Sequence, residues 1–177
     1  MKKVNVRMLA EAGAMIALAL VLHMIKMFKM PQGGSVTLGS MVPLLLFGLR
    51  WGKSWGGLVG CVFGILNFIL GTESVFHPLS FIFDFLVPFT LIGFFAGMFN
   101  KGIKGIFIGT FLGFFGRFVS HVLSGAIVFY EYAGDQNPWI YSIIYNGSYL
   151  LPELVISFIV VILLRNYIPY LINKNKS

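Results

Sequence analysis

Five ionisable side chains stand inside long apolar stretches of this chain: Glu11, Asp84, Arg117, His121 and Glu153. Asp84 is the lone carboxylate of FIFDFLVPF, residues 81–89. Arg117, His121 and Gly125 recur at four-residue spacing, which lines them along one face of a helix. A carboxylate facing an imidazole across two helices can balance a cation, orient a ligand by hydrogen bonds, or relay a proton. The plainest use of these charges is different: an Asp84–Arg117 ion pair that only locks two helices, and a binding site can contain such a pair. Glu11 lies about one turn inside its apolar stretch, within reach of headgroups. Glu153 follows Pro152, where a carboxylate suits the positive end of a starting helix. Both read as structural.

Which chemistry applies depends on the solvent. Of the 177 residues, 58% are hydrophobic and 11% charged, against about 45–50% and about 25% in an ordinary globular domain. A chain this small exposes much of its surface, and that surface must be apolar. The solvent is lipid. The net charge of +7 does not indicate nucleic acid, because the basic residues sit at the ends of apolar runs, as lysine and arginine do in membrane proteins. The N-terminal MKKVNVR with the apolar run after it reads as an uncleaved span, since HMIKMFKMPQ follows where a cleavage site would need small residues.

A spanning helix needs roughly 20 mostly apolar residues. Six candidates are expected near 8–27, 38–50, 54–70, 79–99, 105–130 and 148–168, the second short and interrupted by Pro43. The fold class is an all-α integral membrane protein, one domain, a compact bundle of six transmembrane helices. With both termini cytoplasmic, ten of the thirteen Lys and Arg residues fall on cytoplasmic ends (Lys2, Lys3, Arg7, Arg50, Lys53, Lys101, Lys104, Arg165, Lys174, Lys176), and only Lys26 and Lys29 fall in outer loops. That is a positive-inside bias. Gly48, Gly52, Gly56, Gly60 and Gly64 form a ladder at four-residue spacing, and Gly105, Gly109 and Gly113 repeat it; small residues on one face let backbones approach where lipid gives no hydrophobic drive. The first span has its own small face, Gly13 and Ala17 with Ala10 and Ala14, for packing inside the bundle or for an outside partner.

In this arrangement His121 lies roughly 10–12 Å below the outer end of its span, and Asp84 lies at a similar depth on the span running the other way. The stretch NPWIYSIIYNGS brings Tyr141 and Asn146 to the same rim, among Phe81, Phe85, Phe129, Tyr130, Trp139 and Tyr145. An acid among aromatic faces, with Asn, Tyr and His to fix orientation, suits a small, flat, polar cation. The motifs HExxH, GxSxG and GxxxxGK[ST] and a Cys-His cluster are missing, so no catalytic residue, metal site or cofactor is expected.

The blocks MPQGGSVTLGSMVPLLLFGLRWG (30–52), HPLSFIFDFLVPF (77–89), RFVSHVLSGAIVF (117–129) and NPWIYSIIYNGSYLLP (137–152) resemble the thiamine-specific substrate-binding subunits of energy-coupling factor vitamin transporters. The resemblance runs over essentially the whole chain. It implies a bacterial cell-membrane subunit that binds thiamine from outside and works with a transmembrane coupling subunit and two cytoplasmic ATPases, which contact the small face of span one at Gly13 and Ala17. It places the ligand shell on Asp84, His121, Gly125, Phe129, Tyr141 and Asn146. Phe129, with Tyr130, would stack on a ring, and Asp84 would balance the thiazolium or accept from the aminopyrimidine. Some members carry glutamate then tyrosine where this chain has Asp84 and Phe85, tryptophan in place of Phe129, and tryptophan and glutamate in place of Gly34 and Leu38. The loop residues Pro31, Gln32, Gly33, Gly34 and Ser35 would form a mobile lid over the outer mouth. The rival reading is a stand-alone proton- or ion-coupled carrier, against which no convincing inverted repeat is seen.

Overall fold

In the computed structural model, the described residues are 5–71, 77–164 and 167. Lys2, Lys3, Arg165, Lys174 and Lys176, used above to orient the chain, lie outside them. Among the described residues there are six helices: α1 Val6–Met24, α2 Val42–Trp51, α3 Lys53–Leu70, α4 Pro78–Met98, α5 Gly102–Ile127 and α6 Pro138–Leu163. Five are long and apolar enough to cross a membrane; α2, with ten residues, is not. At 1.5 Å per residue α2 is roughly 15 Å long, half a hydrocarbon core. Pro43 does not interrupt it, because the proline stands in the first turn, where a missing N–H costs nothing.

Two expected boundaries shift. The last helix starts at Pro138, ten residues before 148, since the Asn137 side chain accepts hydrogen bonds from the Trp139 and Ile140 N–H groups. Glu153 is therefore a mid-helix residue. The stretch after α1 does not continue the span: Lys26–Lys29 (β1) pairs antiparallel with Ser35–Thr37 (β2), and Met30 and Gly34 close the turn through a 2.6 Å hydrogen bond. The fold is helical with this one small hairpin.

The glycine ladder packs as its spacing predicts, with one exception. A Cβ on Gly56, Gly60 or Gly64 of α3 would collide with the carbonyl oxygen of Gly93, Phe89 or Phe85 on α4, and Gly48 of α2 meets Gly93 likewise. Backbone thus lies directly on backbone. On α5, Gly109 would meet the Phe95 carbonyl at 2.7 Å and Gly113 the Ile92 Cα at 3.1 Å. The exception is Gly52, where a Cβ would meet nothing within 4 Å and φ is 91°, so it is the joint between α2 and α3. Phe47, Phe63, Phe89, Leu44 and Ile92 fill the core between these helices. Glu11 has the structural place expected of it: it pairs with Arg50 at 3.0 Å, accepts from the Trp51 indole N–H at 2.9 Å, and so ties α1 to the end of α2.

Candidate ligand-binding site

The backbone under Asp84 is not α-helical. Phe81–Leu86 forms a π-helical stretch, with the Val87 N–H reaching back five residues to the Ile82 carbonyl. Pro88 accounts for a local part of this. It has no N–H, so in this register the Phe83 carbonyl goes without a main-chain donor, and the Ser120 hydroxyl of α5 supplies one at 2.6 Å. The widened turn holds α4 to α5 at the depth of the acid.

Asp84 is fastened on both oxygens. Ser80 and Ser124 donate to Oδ2 at 2.7 and 2.5 Å, and His121 Nδ1 lies 3.0 Å from Oδ1. The carboxylate remains 19% exposed, and Oδ1 keeps capacity for another donor. The expected Asp84–Arg117 lock does not form. Arg117 instead pairs with Glu153 through Nη1 at 2.8 Å, its Nε faces His121 Nε2 at 3.3 Å, and its guanidinium stands 5.2 Å over the Phe89 ring. Glu153 is fully buried, and Thr37 at the end of β2 and Ser40 just after it donate to its Oε1 at 2.5 and 3.4 Å. Two hydroxyl donors and a paired guanidinium offset the cost of burying this carboxylate.

Other expected residues take varied places. Gly125 permits α5 to touch α6: a Cβ there would run into the Ser142 hydroxyl. Asn146 is buried, donating to the Ser142 carbonyl at 2.9 Å and accepting from the Tyr149 hydroxyl at 2.7 Å. Tyr141 donates to Gln32 Oε1 at 2.9 Å, so it meets the hairpin turn. Phe85 turns to α3, edge-on to Phe68 at 5.1 Å and against the core, away from the acid. Phe129 stacks on Tyr132, 5.8 Å between centroids, and Tyr130 is exposed. Pro31, Gln32 and Gly33 are exposed, Gly34 is half-buried and Ser35 is buried.

Residues that spacing alone did not single out complete the site. Ser80 and Ser124 hold the acid. Tyr145 accepts the Gln32 and Gly34 N–H groups at 3.0 and 3.3 Å, and Tyr149 packs with Val36 of the hairpin. The repeat 141, 145, 149 on α6 was the available signal: the three rings form a ladder at 6.0 Å steps on which the hairpin rests. A separate apolar groove of about 610 Å³ on the outer flank of α5 and α6, lined by Phe111, Phe115, Ile143 and Leu151, contains none of these groups.

The chain matches the family model described as thiamine transporter protein (Thia_YuaJ) over residues 9–173. It is 34% identical to the thiamine transporter ThiT of Bacillus subtilis (strain 168), over 96% of this chain and 95% of that one. It is 31% identical to the thiamine transporter ThiT of Lacticaseibacillus paracasei, over 74% and 73%. The solved structure of ThiT from Listeria monocytogenes superposes with a TM-score of 0.82 at 25% identity, covering 95% of this chain and 99% of that one. Membrane-length helices and these relatives make it a multi-pass protein of the cell membrane. Matched along nearly its whole length, the chain belongs to the thiamine transporter protein family.

Proposed function

We propose that this chain captures thiamine at the Asp84–His121 pair, beneath the hairpin, and delivers it to an energy-coupling factor complex. The observation that carries the reading is a partly exposed carboxylate held by Ser80, Ser124 and His121 directly below a tyrosine ladder that carries a loop. Thiamine joins a cationic thiazolium to an aminopyrimidine. Asp84 offers the one uncancelled charge of this cluster; Tyr141 and Asn146 lie on α6, and Phe129 lies just beyond the end of α5. Residues 31–35 act as the lid, opening by release of the Tyr145 and Tyr141 contacts.

The chain is not an enzyme in this reading; ATP is hydrolysed by two cytoplasmic partner ATPases that act through a transmembrane coupling subunit. The face of α1 supports this. Gly13 and Ala17 are exposed, and a Cβ on Gly13 would meet nothing within 4 Å, so the face is not used inside the bundle. Both termini face the cytoplasm by the distribution of basic residues. The carboxylate–imidazole pair would also serve a proton-coupled carrier, and one experiment separates the two. Vesicles holding only this protein should capture thiamine stoichiometrically and show no ATP-driven accumulation; gradient-driven accumulation without partners overturns the subunit reading. Calorimetric titration with thiamine and with its pyrimidine and thiazole halves tests the ligand itself.

A further inference from the structure

We propose that Arg117 and Glu153 are positioning residues that hold His121 in its neutral Nδ1–H tautomer, leaving Asp84 as the single net charge that the cluster presents to a ligand. A guanidinium is always protonated and has only donors. Its Nε stands 3.3 Å from His121 Nε2, so that ring nitrogen must accept, and the ring proton belongs on Nδ1. From Nδ1 it is donated to Asp84 Oδ1 at 3.0 Å. A second proton on the ring would face an N–H already occupying that direction.

Arg117 can act in this way only because it is itself held. Glu153 fixes Nη1 at 2.8 Å, and Glu153 is in turn fixed by Thr37 and Ser40. Arg117 and Glu153 are both buried, and their charges cancel. Around His121, then, stand Asp84 from α4, Arg117 from α5, and Glu153 and the Tyr149 ring from α6, the ring 6.3 Å away. The sum over these side chains is one negative charge, which fits a singly charged cation. This step deepens the thiamine reading and rests on it only for the identity of the ligand. A mere α5–α6 lock would cost stability when broken and would leave the histidine's tautomer alone.

The test is the imidazole spectrum of protein labelled with ¹⁵N-histidine in lipid nanodiscs without ligand, the His121 signals being assigned by their loss in His121→Gln. The expected result is a protonated Nδ1 and a bare Nε2 at neutral pH. The double variant Arg117→Met with Glu153→Met leaves no unpaired buried charge, as a single change would. With Asp84 still holding the Nδ1 proton, the freed Nε2 should take a proton, and thiamine should bind at least tenfold more weakly. An Nε2–H or doubly protonated His121 in the unmodified protein overturns the proposal, and so does a double variant whose Nε2 stays bare. The unmodified spectrum decides even if the double variant does not fold. Failure of thiamine to bind, with the expected spectrum, overturns the ligand assignment alone; thiamine binding with the wrong tautomer overturns this inference alone.

Discussion

Gly34 rests on the ring of Tyr149: a Cβ on Gly34 would stand 2.7 Å from both Cδ1 and Cε1. The ring cannot yield easily, because it is buried and its hydroxyl is bonded to Asn146. Gly34→Ala should therefore lift the lid. We expect thiamine to dissociate roughly tenfold faster, equivalent to about 1.4 kcal/mol, as followed by stopped-flow fluorescence. An unchanged rate means that this contact does not hold the lid shut.

Asp84→Asn should weaken thiamine binding at least tenfold, again about 1.4 kcal/mol, while the protein still inserts and folds. The amide can keep its oxygen on the two serines that share Oδ2, but it removes the charge and turns its NH2 toward the His121 Nδ1–H. Calorimetry on the purified variant is the check. Normal affinity would leave Asp84 as a strut between α4 and α5, joined to His121.

Gly60→Ala addresses the packing. The added methyl would run into the Phe89 carbonyl, backbone that cannot rotate away. Overpacking of this kind costs about 1–3 kcal/mol, so thermal unfolding in detergent should shift clearly downward. Gly13→Ala, with open space at the same test position in the interior of α1, should leave the unfolding temperature unchanged or raise it.

Ala17→Trp separates binding from transport. A bulky residue on the exposed face of α1 holds any partner helix away. Thiamine affinity of the isolated protein should be intact, and ATP-dependent uptake by the assembled complex should disappear. Loss of binding would mean that the face packs within the bundle, and unimpaired uptake that it is not the docking surface.

Much of this arrangement is legible from residue types and intervals, because lipid narrows the choices. Glycines four apart suggested a packing face, and Gly60 and Gly64 are that face, though Gly52 in the same series is a joint. Asp84 and His121 were placed at one depth by counting residues, and they meet. What escaped was set by local geometry. KMFK reads as the tail of the first span, and only pairing with Ser35–Thr37 makes it a strand. Tyr, Asn and Trp dilute the apolarity of NPWIYSIIYNGS, hiding two turns and more of α6 and with them the mid-helix position of Glu153. That shift is why Arg117 finds Glu153 and not Asp84. Phe85 was expected beside its neighbour Asp84, but adjacent residues on a helix face different ways, and it packs on Phe68. Serines carry no signature, so Ser80 and Ser124 were invisible.

The π-helical turn at Phe81–Leu86 has a genetic consequence. A turn of this kind accommodates one more residue than an α-helical turn does, so it is equivalent to an inserted codon retained by its usefulness. Deleting one codon within it would let the stretch relax to an ordinary helical turn, which keeps the flanking segments in register but re-aims Asp84 and its neighbours inside the turn. The glycine seam with α3 would survive and the chain would still reach the membrane. Among descendants of this gene, single-residue deletions should therefore be tolerated in the loops and purged here, where length itself is under selection.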